Sequence, residues 1–235
     1  MRKFLPLILV VLATVIVMAG CGGRALSNKA APAGTAATPK TATKAAPEVD
    51  RTGWPVIVAF GDSLTFGQGV PFEQNYPSRL QGQLDKLGYK YRVVNAGISG
   101  DTSSGGLARV ETVLKQKPAI VILELGANDG LQGRSVPKLK ENLAAIIERI
   151  QKEQVRVVLA GIQIPPNYGP EYTDAFRQTF TDLAAHYKIP FIPFILEGVA
   201  ARPELNQTDG IHPTAEGYVY VVDNVLKVLK PLLKQ

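Results

Sequence analysis

The sequence contains only one cysteine and two histidines among its 235 residues. A single cysteine cannot form an intramolecular disulfide. With so few soft ligands and no H-E-x-x-H pattern, we expect no metal site. No Walker loop or G-x-G-x-x-G motif opens a predicted helix, so we also expect no nucleotide cofactor. These absences favour a function that rests on ordinary side-chain chemistry.

The excess of positive charge lies mostly outside the part of the chain that is able to fold. The whole chain carries +6 at pH 7, but residues 1–20 hold two basic residues, and residues 21–50 hold four basic and two acidic ones. Residues 51–235 therefore hold 20 basic and 18 acidic residues. A nearly balanced domain argues against a nucleic-acid partner.

The N-terminus has the pattern of an export signal. Two basic residues precede the apolar run "FLPLILVVLATVIVM", and two small residues then precede Cys21. The run is shorter than the ~20 apolar residues of a membrane span, so we predict a lipoprotein-type signal peptide over residues 1–20. Cys21 resembles the acylated cysteine of a bacterial lipobox, although Met18 stands where leucine is usual.

Acylation of Cys21 predicts an exported cell-envelope protein that is anchored to a bacterial membrane. Ordinary signal cleavage nearby is the alternative, and it predicts a soluble periplasmic or secreted protein. Residues 21–50 are rich in alanine, threonine and proline and cannot bury enough apolar surface to fold, so we expect a flexible linker there. Residues 51–235 are long enough for one domain with a sizeable core, and we expect it to be a monomer.

Short apolar runs alternate with helical patterns along this domain. The strand-like runs lie at residues 55–60, 91–96, 119–126, 155–162 and 190–194. The central runs are continuously apolar, as is typical of a parallel sheet covered on both faces. The sequence therefore predicts a three-layer α/β fold in which right-handed crossover helices join the strands.

Ligands of such sheets bind beyond the carboxyl ends of the strands, and Ser63 follows the first predicted strand. A serine hydroxyl needs a base to become a nucleophile. His186 lies beside the apolar stripe of a predicted helix and fits a surface residue, whereas His212 lies in a loop near the end of the chain. Asp209 precedes His212 by three residues and can orient the imidazole. The alternative is a simple Asp-Gly turn beside an ordinary loop histidine.

Acyl transfer also requires donors for the oxyanion. The backbone N–H of Ser63 is one candidate, and the N–H of Gly100 after the second predicted strand is another. Asn128 after the third strand offers a side-chain amide. The alternatives are a loop glycine before a helix and a turn-forming asparagine. The segment around Ser63 lacks the closing glycine of G-x-S-x-G, so it is not the usual α/β-hydrolase elbow.

Four segments, "GDSLTFG", "NAGISGDTS", "LELGANDG" and "DGIHP", resemble in order the four sequence blocks of the SGNH, or GDSL, hydrolases. The resemblance spans residues 54–232. Within that family the sequence is most similar to the bacterial thioesterase I, lysophospholipase and arylesterase group, with which it shares "GLAR" and "PxNYG" segments.

The resemblance implies a flavodoxin-like sheet of five parallel strands. It implies Ser63 as nucleophile, His212 as base and Asp209 as the residue that orients the base. The oxyanion hole would consist of the Ser63 and Gly100 N–H groups and the Asn128 amide, with no metal and no cofactor.

The predicted activity is hydrolysis of carboxylic esters or thioesters through an acyl-enzyme, with a small acyl ester or a lipid as substrate. From their positions in strand-end loops, the predicted substrate-binding residues are Leu131, Ile164, Pro165, Tyr168 and Leu196. Two alternatives stay open: a carbohydrate acetylesterase of the same superfamily, and a non-catalytic lipid- or glycan-binding lipoprotein. Glu124, near the end of an apolar strand, requires a partner that the sequence does not identify.

Overall fold

The computed structural model describes residues 49–234. The predicted signal peptide, Cys21 and nearly all of the predicted linker lie outside the described residues. Within them, the strands are β1 (Val56–Gly61), β2 (Arg92–Gly97), β3 (Pro118–Glu124), β4 (Arg156–Ala160) and β5 (Phe191–Ile192). The α-helices are α1 (Ser63–Phe66), α2 (Tyr76–Lys86), α3 (Ser103–Leu114), α4 (Ala127–Leu131), α5 (Val136–Lys152), α6 (Pro170–Tyr187) and α7 (Ala215–Leu229).

The five strands form one parallel sheet in the order β2-β1-β3-β4-β5. The chain leaves β1 toward one edge to make β2 and then returns to place β3 on the other side of β1. The strand order therefore reverses between β1 and β3, the position at which open α/β sheets bind ligands.

The side chains of alternate residues in each strand pack into two separate apolar layers, one on each face of the sheet. Ile57 and Ile122 face a layer that includes Leu80 of α2 and Val225 of α7. Val58 faces the opposite layer, which is filled from α3, α5 and α6. Both faces of the sheet are thus covered, which explains the continuously apolar strands. The prediction of a three-layer α/β fold with five parallel strands is confirmed.

Side-chain caps set where several helices begin. Ser135 accepts a hydrogen bond from the Lys138 N–H at the start of α5, and Thr102 accepts one from Gly105 at the start of α3. Such caps satisfy N–H groups that have no partner within the helix. Across residues 49–234, no helix combines the length and the apolar composition that crossing a bilayer requires.

Candidate active site

Ser63 is the first residue of α1, directly beyond the end of β1. The Asp62 side chain caps this short helix by accepting a hydrogen bond from the Leu64 N–H at 3.0 Å. The turn requires glycine at position 61, because a Cβ there would collide with the Thr65 and Glu124 side chains. Sharp turning between β1 and α1 leaves Ser63 partly exposed at the carboxyl end of the sheet.

His212 connects Ser63 to Asp209. His212 Nε2 lies 2.9 Å from Ser63 Oγ, and His212 Nδ1 lies 2.7 Å from Asp209 Oδ2. The acceptor at Nδ1 favours the tautomer with its proton on that nitrogen, which leaves Nε2 free to accept the serine proton. The structure thus brings together three residues that are predicted from opposite ends of the sequence.

The carboxylate of Asp209 is held in its ionised form. Partial burial opposes ionisation, but the hydrogen bond with the His212 ring and those from the Ile211 and His212 N–H groups outweigh it and lower the Asp209 pKa. A charged acceptor at this point stabilises a protonated imidazole. This is the electrostatic condition that a histidine base needs when it takes up a proton.

The loop that carries His212 is attached to the rest of the domain by hydrogen bonds. The Gln207 amide donates to the Gln68 carbonyl at 2.7 Å and to the Pro213 carbonyl at 2.9 Å. Pro213 also pairs with Asn206 in an isolated antiparallel bridge. Pro213 therefore precedes α7 and does not lie in its first turn. Thr214 caps α7 instead, by accepting from the Gly217 N–H.

Two backbone N–H groups of the predicted oxyanion hole lie at this end of the sheet. Gly100 has φ +80°, a conformation that L side chains rarely adopt, and it lines the same cavity as Ser63. Ser63 is the first helical residue, so its N–H has no intrahelical acceptor. The Asp62 cap bonds Leu64 rather than Ser63, which leaves the Ser63 N–H available to a ligand.

Asn128 lies in α4, beyond the end of β3, and lines the cavity with Ser63 and Gly100. Its amide donates to the Asp101 carbonyl at 2.8 Å and makes a longer contact of 3.4 Å with Asp62 Oδ2. The longer bond is the weaker one. Donation to a substrate oxyanion therefore requires Asn128 to give up only its contact with Asp62.

Arg109, in the "GLAR" segment, contacts the backbone segments that lie next to the predicted oxyanion-hole donors. Its guanidinium binds the Asp101 carboxylate at 2.7 Å and donates to the Ala96 and Gly61 carbonyls, each at 2.8 Å. It also lies 4.5 Å from the centre of the Phe60 ring. The sequence alone assigns Arg109 no role. The signals for it were its position just after the Gly100 loop and its place in the shared "GLAR" segment.

Two carboxyl groups are buried beneath Ser63. Glu124 accepts hydrogen bonds from Thr65 Oγ1 at 2.8 Å and from the Asp62 N–H at 3.3 Å. Burial, reinforced by repulsion from Asp62, raises the pKa of Glu124 well above its usual value. Burial also raises the pKa of Asp62 to about 7, and the nearby charge of Asp101 adds to the rise. The partner of Glu124 that the sequence left unidentified is therefore the turn that carries Ser63, which binds Glu124 Oε2. Glu124 Oε1 has no hydrogen-bond partner among the described residues.

A cavity of about 600 Å³ opens beside Ser63, within the size range of small-molecule sites. Four of the five predicted substrate-binding residues line it: Leu131, Ile164, Pro165 and Leu196. Ile162, Phe194 and Ile211 also line it and were not predicted from the sequence. Ile211 lies in the "DGIHP" block, but no sequence pattern marks an apolar wall, which requires only residues of suitable size.

Tyr168 is the exception among the five predicted residues, since it does not line the cavity. Its hydroxyl donates to the Leu131 carbonyl at 2.7 Å. The prediction from loop position is corrected: Tyr168 supports the segment that carries Leu131 and leaves the surface of the cavity to Ile164 and Pro165. A loop position predicts which residues approach a site, but not which way each side chain turns.

The second histidine is far from this chemistry. His186 is exposed on α6, where its ring packs edge-on against Tyr187 at 4.7 Å, in agreement with its predicted surface position. Among the residues that the structure describes, no group of three His, Cys, Asp or Glu side chains is arranged to hold a metal ion.

Comparison with known proteins gives consistent matches. Residues 59–220 match the GDSL-like Lipase/Acylhydrolase family. The chain is 46% identical over 178 residues to esterase TesA of Pseudomonas aeruginosa, covering 75% of this chain and 89% of that protein. It is 38% identical over 178 residues to thioesterase 1/protease 1/lysophospholipase L1 of Escherichia coli, covering 75% and 84%. The solved structure of the psychrotrophic esterase EstA from Pseudoalteromonas sp., inhibited by monoethylphosphonate, superimposes with a TM-score of 0.72 at 34% identity, covering 75% and 97%.

Proposed function

The chain belongs to the GDSL-like lipase/acylhydrolase family, and we propose from this how its own residues hydrolyse an ester. The protein is a serine hydrolase that acts on carboxylic esters or thioesters. Ser63 Oγ attacks the substrate carbonyl while His212 Nε2, 2.9 Å away, takes its proton. This contact, continued from His212 to Asp209, is the observation that carries the proposal.

The attack converts the carbonyl oxygen to an oxyanion, which the Ser63 and Gly100 N–H groups and the Asn128 amide stabilise. His212 then gives its proton to the departing alcohol or thiol, and the acyl group stays on Ser63. In the second half, His212 takes a proton from water as the water oxygen bonds to the acyl carbon. The bond between the acyl carbon and Ser63 Oγ then breaks, His212 gives the water-derived proton to Oγ, and the acid leaves. Asp209 keeps its charge throughout and stabilises each imidazolium.

The shape of the cavity supports substrates with an acyl chain rather than an acetyl group. Its volume of about 600 Å³ is far larger than an acetyl group requires. Leu131, Ile162, Ile164 and Leu196 give it an apolar lining, which favours transfer of a hydrocarbon chain out of water. We therefore place a lysophospholipid, or a similar medium- to long-chain ester or thioester, ahead of an acetylated polysaccharide.

Hydrolysis of p-nitrophenyl esters from acetyl to palmitoyl tests this proposal. We expect the wild type to turn over with an optimum beyond acetyl, and both Ser63→Ala and His212→Ala to lose activity by about 10⁴-fold or more. His186→Ala is the matched control, since it removes the other histidine and leaves the rate unchanged. A folded wild type that is inert across the whole series would favour the non-catalytic binding protein, and an acetyl optimum would favour the acetylesterase.

We propose that the protein is exported and acylated at Cys21, and that the domain is monomeric. The support is the order of basic, apolar and small residues before Cys21. Growth with an alkyne-bearing fatty acid should label the wild type but not Cys21→Ser. Equal labelling of both forms, or of neither, would leave ordinary signal cleavage as the better account.

A further inference from the structure

Large apolar side chains are exposed on the three loops that carry Ser63, Gly100 and His212. Phe66 and Phe72 lie between β1 and α2, Ile98 lies between β2 and α3, and Ile211 precedes His212. Their exposed fractions are 51%, 68%, 50% and 39%, respectively. These loops all leave the carboxyl end of the sheet. We call the four residues the apolar rim.

Direct contacts hold the three loops together. The Gln207 amide donates to the Gln68 carbonyl, and Ser99 Oγ donates to Gln68 Oε1 at 2.9 Å. Gln68, Ser99 and Ile211 also line the cavity. The loops of the apolar rim therefore meet beside the cavity, which Ile211 itself lines. Exposed apolar side chains gathered on such loops are a candidate interaction site.

The loops of the apolar rim contain no lysine or arginine. None occurs in residues 62–78, 95–108 or 203–226. Of the acidic groups near the cavity, Asp62 is buried, Asp101 pairs with Arg109 and Asp209 binds His212. Glu73, beside Phe72, is exposed and adds a single charge to the rim loops. A partner of this surface must therefore be recognised by apolar contact rather than by opposite charge.

We propose that the apolar rim docks on the surface of a lipid bilayer, so that an acyl lipid passes from the bilayer into the cavity beside Ser63. This inference rests on the proposed ester hydrolysis and on anchoring through Cys21. A second copy of the chain is the weaker candidate, because stable dimers bury about 20–30 residues on each partner. A few half-exposed side chains suit shallow insertion among lipid headgroups better.

The length of chain before the domain permits this arrangement. The domain is joined to its N-terminal segment before β1, at the opposite end of the sheet from the apolar rim. The 28 residues from Cys21 to Val49 reach at most about 95 Å at ~3.4 Å per residue, several times the roughly 20 Å length of β1. An anchor at Cys21 and an apolar rim on the same bilayer are therefore compatible.

Partition into vesicles of dioleoylphosphatidylcholine tests the proposal. The domain from Val49 onward contains both apolar layers and corresponds to 97% of the solved esterase EstA, so it is studied alone and free of the anchor. The test variant combines Phe66→Ser, Phe72→Ser and Ile98→Ser. The control combines Leu87→Ser and Tyr220→Ser, whose side chains are exposed by 45% and 44% at the end of α2 and on α7.

We expect the wild type and the control to bind the vesicles, and the test variant to bind at least about tenfold more weakly. Because the rim lacks basic residues, binding should change little with salt or with added phosphatidylserine. Turnover of soluble p-nitrophenyl butyrate should be equal in all three proteins. In the full chain reconstituted in the same vesicles, the test substitutions should slow lysophospholipid hydrolysis.

Three results would overturn the docking proposal: a wild type that does not bind vesicles, a test variant that binds as well as the control, or a wild-type dimer in sedimentation that the test variant loses. A wild type that does not hydrolyse p-nitrophenyl butyrate would instead contradict the proposed ester hydrolysis. Since vesicle binding is measured without catalysis, the two failures are distinguishable.

Discussion

Asp62 and Glu124 are two fully buried carboxyl residues joined by a backbone hydrogen bond, from the Asp62 N–H to Glu124 Oε2, directly beneath the predicted nucleophile. The folded state favours their protonated forms, since the pKa of each is raised by burial. The turn before Ser63 therefore packs on two carboxyl groups whose neutral forms are favoured by burial.

The pair predicts a loss of stability as the pH rises. A raised folded-state pKa contributes stability that is fully present below the unfolded-state pKa and is lost as the pH rises through the folded value. For Glu124 the loss begins near pH 4.5, its ordinary pKa, and for Asp62 it runs from about 3.8 to about 7. Glu124→Gln retains an acceptor for Thr65 but cannot ionise. We expect it to melt several degrees above the wild type at pH 8, with little difference at pH 4.5.

Melting curves from pH 4 to pH 8 measure this effect. Glu141→Gln, at an exposed residue of α5, is the control and should shift the melting temperature by a small constant amount. A Glu124→Gln curve parallel to the wild-type curve over the whole range would show that Glu124 ionises normally in the folded protein.

Asn128→Ala tests the predicted side-chain donor of the oxyanion hole. Removing one such donor lowers kcat by about 10²–10³ with little change in KM, because the bond forms mainly in the transition state. Steady-state kinetics on p-nitrophenyl butyrate measure both constants. Asn167→Ala, at an exposed asparagine of a neighbouring strand-end loop, should behave as wild type. An unchanged kcat for Asn128→Ala would remove this residue from the oxyanion hole.

Arg109→Lys tests whether one guanidinium positions the donors. Lysine keeps the charge but cannot bind Asp101, Ala96 and Gly61 together. Displacement of the Gly100 and Asn128 segments should lower kcat by about 10- to 100-fold with KM nearly constant. Arg149→Lys, at an exposed arginine, is the control. A loss confined to thermal stability, with kcat retained in the folded fraction, would assign Arg109 a structural role alone.

Ile164→Trp tests the position of the acyl chain. The larger ring should fill part of the cavity, lowering kcat/KM for decanoyl esters by about tenfold or more while acetyl esters are little affected. Tyr168→Phe should leave the chain-length profile unchanged, because Tyr168 supports Leu131 without lining the cavity. A profile altered by Tyr168→Phe and not by Ile164→Trp would place the acyl chain elsewhere.

The strands and the site motifs could be predicted because each is encoded in one short, continuous segment of the sequence. Continuously apolar runs identified the strands, because both faces of the sheet are covered, and short motifs identified Ser63 and His212. The contacts of Glu124 and Arg109 could not be predicted, since they join residues that are distant in sequence and adjacent only after the strands align. The orientation of Tyr168 was missed for a related reason: packing of a whole loop decides which side chain reaches the substrate.

The contact between Ser63 and His212 joins residues 149 positions apart. A ribosome therefore makes the nucleophile early and its base almost last, and a fragment that ends before residue 212 has the serine without the means to activate it. Premature termination, or proteolysis that removes the last loop and helix, should therefore yield a chain that does not hydrolyse esters. Only a chain synthesised as far as residue 212 contains both members of this contact.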